Sequence, residues 1–372
     1  MHSVPVSYTI SDILNWTGGR LANEASLKRS PSAIRLSSVS GLKGSRPEQV
    51  AFFFAAAYKA EIPFVKAGVL ITGEAFVEPL KQSGLPIWSD TAIIACPDPY
   101  LALALLSEKF APSLSTAAHV PGLDQSSPGK AEIHPTAVVH ATATIGAGAK
   151  IGAHCVVEEG AQVGEKTVLY PGCFVGPDAK IGRDSVLFPN VVIYERCELG
   201  NRIRIHANSV IGADGFGYAP RMENGKITKQ VKIYHVGKVI IGDDVEIGAA
   251  TTIDRGTLND TQISSGVKID NNVQVGHNVK IGEGTVICAN VGLAGTATLG
   301  KYVYVGGMAA VNNGTIVHDG AKVGPACMMS TDAASGEEYL GFPPQPAQDY
   351  FRIQVLLRRL LKDSKKRGKA NE

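Results

Sequence analysis

An apolar residue recurs at every sixth position through the middle of this chain, from residue 133 to residue 329 of 372. The first run has fourteen consecutive positions: Ile133, Val139, Ile145, Ile151, Val157, Val163, Leu169, Val175, Ile181, Leu187, Ile193, Leu199, Ile205 and Ile211. The second run, with one shift of four residues after its third position, contains Ile241, Ile247, Ile253, Ile263, Ile269, Val275, Ile281, Ile287, Leu293, Leu299, Val305, Val311, Val317, Val323 and Met329.

Neither the 3.6-residue turn of a helix nor the two-residue alternation of a strand produces this period. A coil with three flat sides of six residues each does, so the repeat predicts a mainly β fold, a left-handed parallel β-helix. The apolar side chains point into the prism and stack from coil to coil, while Gly, Asn and Asp serve the corners. At about 4.8 Å between strands, nearly ten coils give a prism roughly 45 Å tall.

Two segments leave the repeat. Residues 212–240 depart through Asp214-Gly-Phe-Gly-Tyr218 and a polar stretch, and a shorter excursion occurs around Leu258 to Thr261. Because loops carried by a rigid scaffold are common sites of function, both are candidates for the functional site.

The repeat also sets the predicted domain boundaries, which are residues 1–120, 121–132, 133–340 and 341–372. The first part is predicted to be a mixed α/β domain, with these elements: a helix at Ser11–Trp16 and strands at Val50–Phe54, Ala67–Ile71 and Thr91–Ala95. A Pro-, Gly- and Ser-rich segment over 118–130 indicates a linker at 121–132, and Gly341-Phe-Pro-Pro344 ends the β-helix at 340.

The last part, 341–372, has helical spacing of leucines from Tyr350 to Lys369, and basic residues crowd the other faces. A basic amphipathic helix has four interpretations: a solvated terminal helix, a bundle between subunits, a membrane-surface element, or a docking site for an acidic protein.

Composition excludes several classes of function. The chain carries 36 basic and 34 acidic residues, for a net charge of +2. This nearly balanced charge does not indicate a particular partner, and binding to nucleic acid is not expected. No apolar run reaches the roughly 18 residues that span a bilayer, so stable membrane insertion is not expected. The first residues lack a secretory pattern, which predicts a cytoplasmic protein. The six Cys form no Cys-x-x-Cys pair, and neither a metal site nor a cofactor is predicted.

Several local motifs are more specific than the repeat. They are Asp214-Gly-Phe-Gly-Tyr218, the run 239–248 leading into Thr252-Ile-Asp-Arg-Gly256, the run 269–282, and Gly292-Leu-Ala-Gly-Thr296. With the β-helix, the N-terminal domain and the basic C-terminal helix, they resemble the UDP-3-O-(3-hydroxyacyl)glucosamine N-acyltransferases of lipid A biosynthesis. The resemblance implies a homotrimer with active sites in clefts between prisms. It also implies transfer of a 3-hydroxyacyl chain from acyl carrier protein to the 2-amine of UDP-3-O-acylglucosamine.

Amide formation from a thioester needs a base for the amine proton and a donor for the oxyanion. His277, in Val275-Gly-His-Asn-Val279, matches the family's catalytic histidine, and an imidazole suits proton transfer near neutral pH. One coil further lies Gly295, which we expect to stack against His277 and whose N–H matches the family's oxyanion donor. Asp270 is expected either to orient or charge-stabilise His277 or to be an ordinary corner residue.

The resemblance also assigns substrate contacts. Phe52 and Tyr58 match the aromatic residues that hold uracil, although three consecutive Phe are also typical of a core. Because the Asp214–Tyr218 motif also matches the family, Asp214, Phe216 and Tyr218 are expected to contact the substrate. Met328 matches the residue that limits acyl-chain length, and otherwise a Met there would fill the core.

The chain departs from the family pattern at three places. Gly314 stands where the family has a second His, Ala55 replaces an Asn, and Tyr234-His235 replaces Pro-Gln. Two alternatives therefore stay open: an acyltransferase for another UDP-amino sugar, with coenzyme A as donor, or a non-catalytic binding paralogue. A carbonic-anhydrase-like zinc site of three His is disfavoured, because no compact His pair occurs.

Overall fold

The computed structural model describes residues 7–110, 120–123, 129–341 and 347–368. By its internal contacts the chain divides into two units, Met1–Ala118 and His119–Glu372. Three sequence predictions lie wholly or partly outside the described residues: the linker at 124–128, the Phe-Pro-Pro stop at 342–344, and the last residue of the predicted terminal helix, Lys369.

A five-stranded sheet organises the first unit. Its strands, in sheet order, are β1 (Arg20–Leu21), β5 (Ala92–Cys96), β4 (Val69–Gly73), β3 (Gln49–Phe53) and β2 (Ser38–Val39). Only β1 is antiparallel to its neighbour. All residues of β3 and β5 are buried because both faces of the sheet are covered.

Within residues 7–110, four α-helices and four 3₁₀ helices accompany this sheet. They are α1 (Ile10–Thr17), α2 (Val77–Gln82), α3 (Ile87–Asp90) and α4 (Pro99–Phe110), with 3₁₀ helices at Glu24–Ser26, Pro31–Ala33, Ala56–Phe64 and Glu74–Phe76. A capping box between Thr9 and Asp12 begins α1, and Gly18 in the left-handed conformation ends it. The predicted helix and three strands are all found, within two residues of their expected bounds.

The second unit is a prism of three parallel sheets with ten, nine and eleven strands. The first face contains Val138–Val139, Val156–Val157, Phe174–Val175, Val192–Ile193, Val210–Ala213, Thr252–Asp254, Gln274–Val275, Gly292–Leu293, Ala310–Val311 and Met328–Met329. The second face contains Thr144–Ile145, Gln162–Val163, Lys180–Ile181, Glu198–Leu199, Val239–Ile241, Thr261–Ile263, Lys280–Ile281, Thr298–Leu299 and Ile316–Val317. The third face contains Glu132–Ile133, Lys150–Ile151, Val168–Leu169, Val186–Leu187, Arg204–Ile205, Glu246–Ile247, Lys268–Ile269, Val286–Ile287, Tyr304–Val305, Lys322–Val323 and Glu338–Tyr339.

Every residue of the six-residue repeat lies at an inward position of a strand, and from Ile151 onward these side chains form one buried core. The third residue after an inward one turns the corner in the left-handed conformation, as in His154 (φ 58°), Asp178 (φ 55°) and Asn278 (φ 62°). Short polar side chains and Gly tolerate this conformation, which explains their periodic use. The predicted left-handed β-helix is confirmed.

Both excursions are extruded without breaking the stack. The longer one forms an exposed antiparallel hairpin of Tyr218–Glu223 and Lys226–Lys232, and Ile211 then pairs with Ile253 in the next coil. The shorter one is absorbed between Ile241 and Ile263, which are direct neighbours on the second face. Beyond the prism, residues Ala347–Gly368 form helix α5, on which Phe351, Leu356 and Leu360 are exposed.

Truncation of one inward side chain tests the stacked core. Ile247 is fully buried between Ile205 and Ile269 of the adjacent coils, so Ile247→Ala should lower the free energy of unfolding by about 2–5 kcal/mol. The control Val138→Ala, at a strand position that is 64% exposed, should change it by less than about 0.5 kcal/mol. Urea titration measures both, and equal losses would contradict an inward-facing register.

Candidate active site

His277 and Gly295 are brought together by the strand register of the first face. Val275 pairs with Leu293, so the residue two positions after each lies at the same corner of successive coils. A methyl group placed on Gly295 would come within 2.5 Å of His277 Nε2, so only glycine lets the two backbones stack with this ring between them. His277 is half-buried.

The neighbours of His277 fix its tautomer. The Asn278 amide donates from Nδ2 to the Asn259 carbonyl (2.8 Å), and its Oδ1 accepts from the Thr257 N–H (3.0 Å). That oxygen also lies 3.1 Å from His277 Nδ1. Because an amide oxygen cannot donate, Nδ1 carries the proton, and Nε2 presents a lone pair to Gly295. Thr257 Oγ1, 3.3 Å from Nδ1, lies on the same side of the ring.

The Gly295 peptide is available for an oxyanion. Gly295 is held at its carbonyl, in the following peptide, which accepts from Asn313 Nδ2 (2.7 Å) and from the Gly314 N–H (3.4 Å). Within the described residues its N–H donates to no protein group. A free backbone donor beside a basic nitrogen is the pair of groups that acyl transfer needs.

Buried Arg255 positions the start of the longer excursion. Its Nε donates to the Gly212 carbonyl (2.8 Å), its Nη2 donates to the Glu195 carbonyl (3.0 Å), and its Nη1 lies 2.5 Å from Glu195 Oε1. Its own N–H donates to the Ala213 carbonyl (2.9 Å). These bonds hold residues 212–213 against the coil, so the following Asp214-Gly215 turn has a fixed place.

Three further ionisable groups surround His277. Asp254 is 9% exposed, and its burial raises the pKa of the carboxyl to about 6, against an opposing effect of His277. Asp214 Oδ2 lies 2.5 Å from Lys232 Nζ, which lowers the pKa of Asp214. The ring of His235 is centred 5.4 Å from that of His277, and burial, then His277, lowers the pKa of His235.

A groove of about 750 Å³ opens beside this cluster on the second face. Thr257 and Asn278, which contact His277, line one side of it, with Lys280, Thr296 and Thr298 along the prism. Across the described ranges, no group of three or more His, Cys, Asp or Glu is arranged to hold a metal ion. In the same residues no helix is both long and apolar enough to cross a membrane.

The chain matches known proteins over most of its length. The family described as "Bacterial transferase hexapeptide (six repeats)" matches residues 178–213 and 260–295. A UDP-3-O-acylglucosamine N-acyltransferase of Wolinella succinogenes is 35% identical over 88% of this chain and 92% of its own. The enzyme of that name from Anaeromyxobacter dehalogenans is 34% identical over 81% of this chain and 77% of its own. The chain belongs to the UDP-3-O-acylglucosamine N-acyltransferase family.

Among solved structures, the Arabidopsis UDP-N-acetylglucosamine acyltransferase has the same fold. It aligns with a TM-score of 0.50 and 24% identity, over 56% of this chain and 71% of its own.

In this member of the UDP-3-O-acylglucosamine N-acyltransferase family, the other predicted site residues of the β-helix, Asp270, Phe216 and Met328, do not lie together. The Asp270 carboxylate accepts from the Asn271 N–H (2.7 Å), and among the described contacts none joins it to His277. Phe216 is 87% exposed and packs edge-on against Tyr218 at the base of the hairpin. Met328 points outward and is 77% exposed, whereas Met329 belongs to the core.

The predicted uracil contacts lie in the first unit. Phe52 is 7% exposed and packs in the core of the sheet. Tyr58 is exposed and packs edge-on against Phe54, which makes the same contact with Tyr100. The exposed aromatic faces at this end of the sheet therefore belong to Tyr58 and Tyr100.

Four residues of the site were not predicted: Thr257, Asn278, Asp254 and His235. Two of them had a signal in the sequence: Thr257 directly precedes the shorter excursion, and Asn278 belongs to the motif around His277. His235 carried no signal in the repeat, because its side chain comes near His277 only where the longer excursion folds back. Asp254 lies in a regular strand, and because Ile253 pairs with Val275 it is one coil from Gly276, so the strand register could have indicated it.

Removal of the Asn278 amide tests the tautomer. In Asn278→Gly the left-handed backbone (φ 62°) is retained, and the acceptor at Nδ1 is lost. We expect the ¹⁵N spectrum of labelled histidine to show His277 protonated at Nδ1 in the wild-type protein, with the Nε2–H form increased in the variant. Asn290→Gly, at an equivalent corner (φ 60°), is the control. An Nε2–H ring in the wild-type protein would contradict the assignment.

The raised pKa of Asp254 predicts a pH-dependent stability. The folded protein binds the proton more tightly than the unfolded chain, so stability falls as pH rises from about 4 to 6, and the penalty is complete above that range. Asp254→Asn should therefore raise the free energy of unfolding by about 3 kcal/mol at pH 8 and by less than about 1 kcal/mol at pH 4. Urea titrations at the two pH values measure this, and equal stability at pH 8 would refute it.

Proposed function

We propose that this protein transfers a 3-hydroxyacyl chain from acyl carrier protein to the 2-amine of UDP-3-O-acylglucosamine, in lipid A biosynthesis. One observation carries the proposal: the His277 Nε2 lone pair and the free N–H of Gly295 meet at one corner of the prism. The names of the relatives supply the acceptor and the reaction.

The reaction divides between these two groups. The amine lone pair attacks the thioester carbonyl, a C–N bond forms, and His277 Nε2 takes one amine proton. The Gly295 N–H donates to the oxyanion. When the tetrahedral intermediate collapses, the C–S bond breaks, and the imidazolium returns its proton to the leaving thiolate. Asp254, whose pKa of about 6 leaves it ionised at neutral pH, stabilises the imidazolium, and Asn278 holds the ring in the required tautomer.

The nucleotide is assigned to the first unit. A flat base needs an exposed aromatic face, and Tyr58 provides one, supported by Phe54 and Tyr100. Phe52 can support the platform only from the core, since its ring is almost fully covered. In the second unit Asp214, Phe216 and Tyr218 are assigned to the sugar nucleotide.

The acyl chain is assigned to the first face of the prism. Met328 lies on this face, two strands beyond Gly292, which corresponds to about 10 Å along the prism. Its outward side chain is a suitable end-stop for the chain.

The carrier protein and the trimer are the remaining parts of the proposal. Helix α5 exposes an apolar stripe and the basic side chains of Arg358 and Arg359, which suit an acidic partner. We assign this helix to docking of acyl carrier protein and the prism to a homotrimer in the cytoplasm.

Substitution of the base tests the reaction. With purified acyl carrier protein as donor, His277→Ala should lower kcat/KM by roughly 10²–10⁴-fold, because the amine proton loses its acceptor. The control His140→Ala changes an exposed ring in the first coil and should keep full activity. Mass spectrometry of the product and sedimentation of both variants are the measurements, with the same oligomer expected for each. No diacylated product from the wild-type protein, or full turnover by His277→Ala, would reject the proposal.

A further inference from the structure

His235 is a buried histidine with one unpaired ring nitrogen. The residue is 4% exposed, and its Nδ1 lies 3.0 Å from the Ile233 carbonyl oxygen. Because a carbonyl only accepts, Nδ1 carries the proton and Nε2 presents a lone pair. This Nε2 is buried and has no hydrogen-bond partner in the part of the chain that the structure describes.

The unpaired nitrogen lies beside Gly215, which also borders His277. A methyl group placed on Gly215 would come within 2.8 Å of His235 Nε2 and within 2.8 Å of His277 Cβ. Gly217 also lies beside this nitrogen, since a methyl group placed on it would be 2.9 Å from His235 Cε1 and 3.5 Å from Nε2. Both glycines therefore pack against His235, and Gly215 also packs against His277, whose ring is centred 5.4 Å from that of His235.

A buried acceptor without a donor is costly, and most native structures avoid it. Its charged neighbours do not supply the missing bond: Lys232 pairs with Asp214, and His277 donates from Nδ1 to Asn278. Such an unsatisfied group is tolerated where a ligand provides the donor.

We infer that His235 Nε2 accepts a hydrogen bond from the amine of the acceptor sugar, beside the proton that His277 removes. The inference rests on the proposed N-acyl transfer and adds a substrate-binding residue to it. A primary amine has one lone pair and two N–H bonds. The lone pair attacks the carbonyl, His277 takes one hydrogen, and the hydrogen held by His235 stays on nitrogen and becomes the amide N–H of the product.

This arrangement selects the nucleophile. With both hydrogens held by fixed acceptors, the nitrogen lone pair points to the third direction, toward the thioester. A hydroxyl has a single hydrogen, which His277 alone would take, so the second acceptor favours an amine over an alcohol.

Two substitutions separate this role from a structural one. In a glutamine side chain the amide lies near the position of Nε2, and in an asparagine side chain it lies near that of Nδ1. His235→Gln therefore keeps an acceptor at the substrate and loses the bond to Ile233, whereas His235→Asn keeps the bond to Ile233 and loses the acceptor.

We expect His235→Gln to keep kcat within about threefold and His235→Asn to lower kcat by about tenfold or more, with an unchanged KM for the acyl carrier protein substrate. His140→Gln and His140→Asn are the matched controls, and melting temperatures show that each variant is folded. If kcat falls further in His235→Gln than in His235→Asn, or is equal in the two variants, the inference about His235 is wrong, and the proposed function is unaffected. No turnover by the wild-type protein would overturn the proposed function and this inference with it.

Discussion

The stacking of inward side chains from one coil onto the next is the constraint on which the rest of this structure depends. Each buried Ile, Val or Leu lies against its equivalents in the adjacent coils, so the position of one strand fixes the positions of its neighbours. Because strands are only two to four residues long, little in a single coil is stable alone, and the prism gains its stability from neighbour contacts. Residues 18 apart in sequence are thereby held at the same corner.

The active-site geometry comes from two places where extra residues leave this regular stack. The shorter excursion supplies Thr257 and the carbonyl of Asn259, which together set the Asn278 amide and hence the His277 tautomer. The longer one supplies Asp214, the close backbone approach at Gly215 and, after the hairpin, the returning segment with His235. Buried Arg255 links both, since it follows Asp254 in the coil and bonds to Gly212 at the start of the hairpin excursion.

How far the sequence predicts this molecule depends on which forces act at each residue. The six-residue period follows from burial alone, so the fold, the two excursions and the contact of His277 with Gly295 could all be derived from spacing. Polar residues on the outside of a coil have no such period. His235 comes beside His277 only through the folding of a loop that the repeat does not describe. Asp254 lies in a regular strand, where the period alone does not show that its carboxyl is buried, and Asp270, which follows the repeat, contacts its own neighbour Asn271.

The first unit shows the same limit in another form. Its central strands are covered on both faces, so three consecutive Phe give no alternation that distinguishes a buried ring from an exposed one. Phe52 and Phe53 enter different cores, and only Phe54, beyond the end of the strand, reaches the exposed Tyr58 and Tyr100.

The three-sided coil has a consequence for how a site on it can change its reach. Distances along the prism come in whole coils, each about 4.8 Å, because no fraction of a coil can close its three sides. Insertion or deletion of one 18-residue coil between Gly295 and Met328 would move the end-stop proposed at Met328 by one such step and leave the corner of His277 and Gly295 unchanged. If Met328 has its proposed role, finer adjustment of the acyl-chain length, by a methylene or two, falls to the size of the side chain at position 328. In this fold, large steps in acyl-chain length would therefore require insertion or deletion of a coil, whereas small steps would require only a substitution.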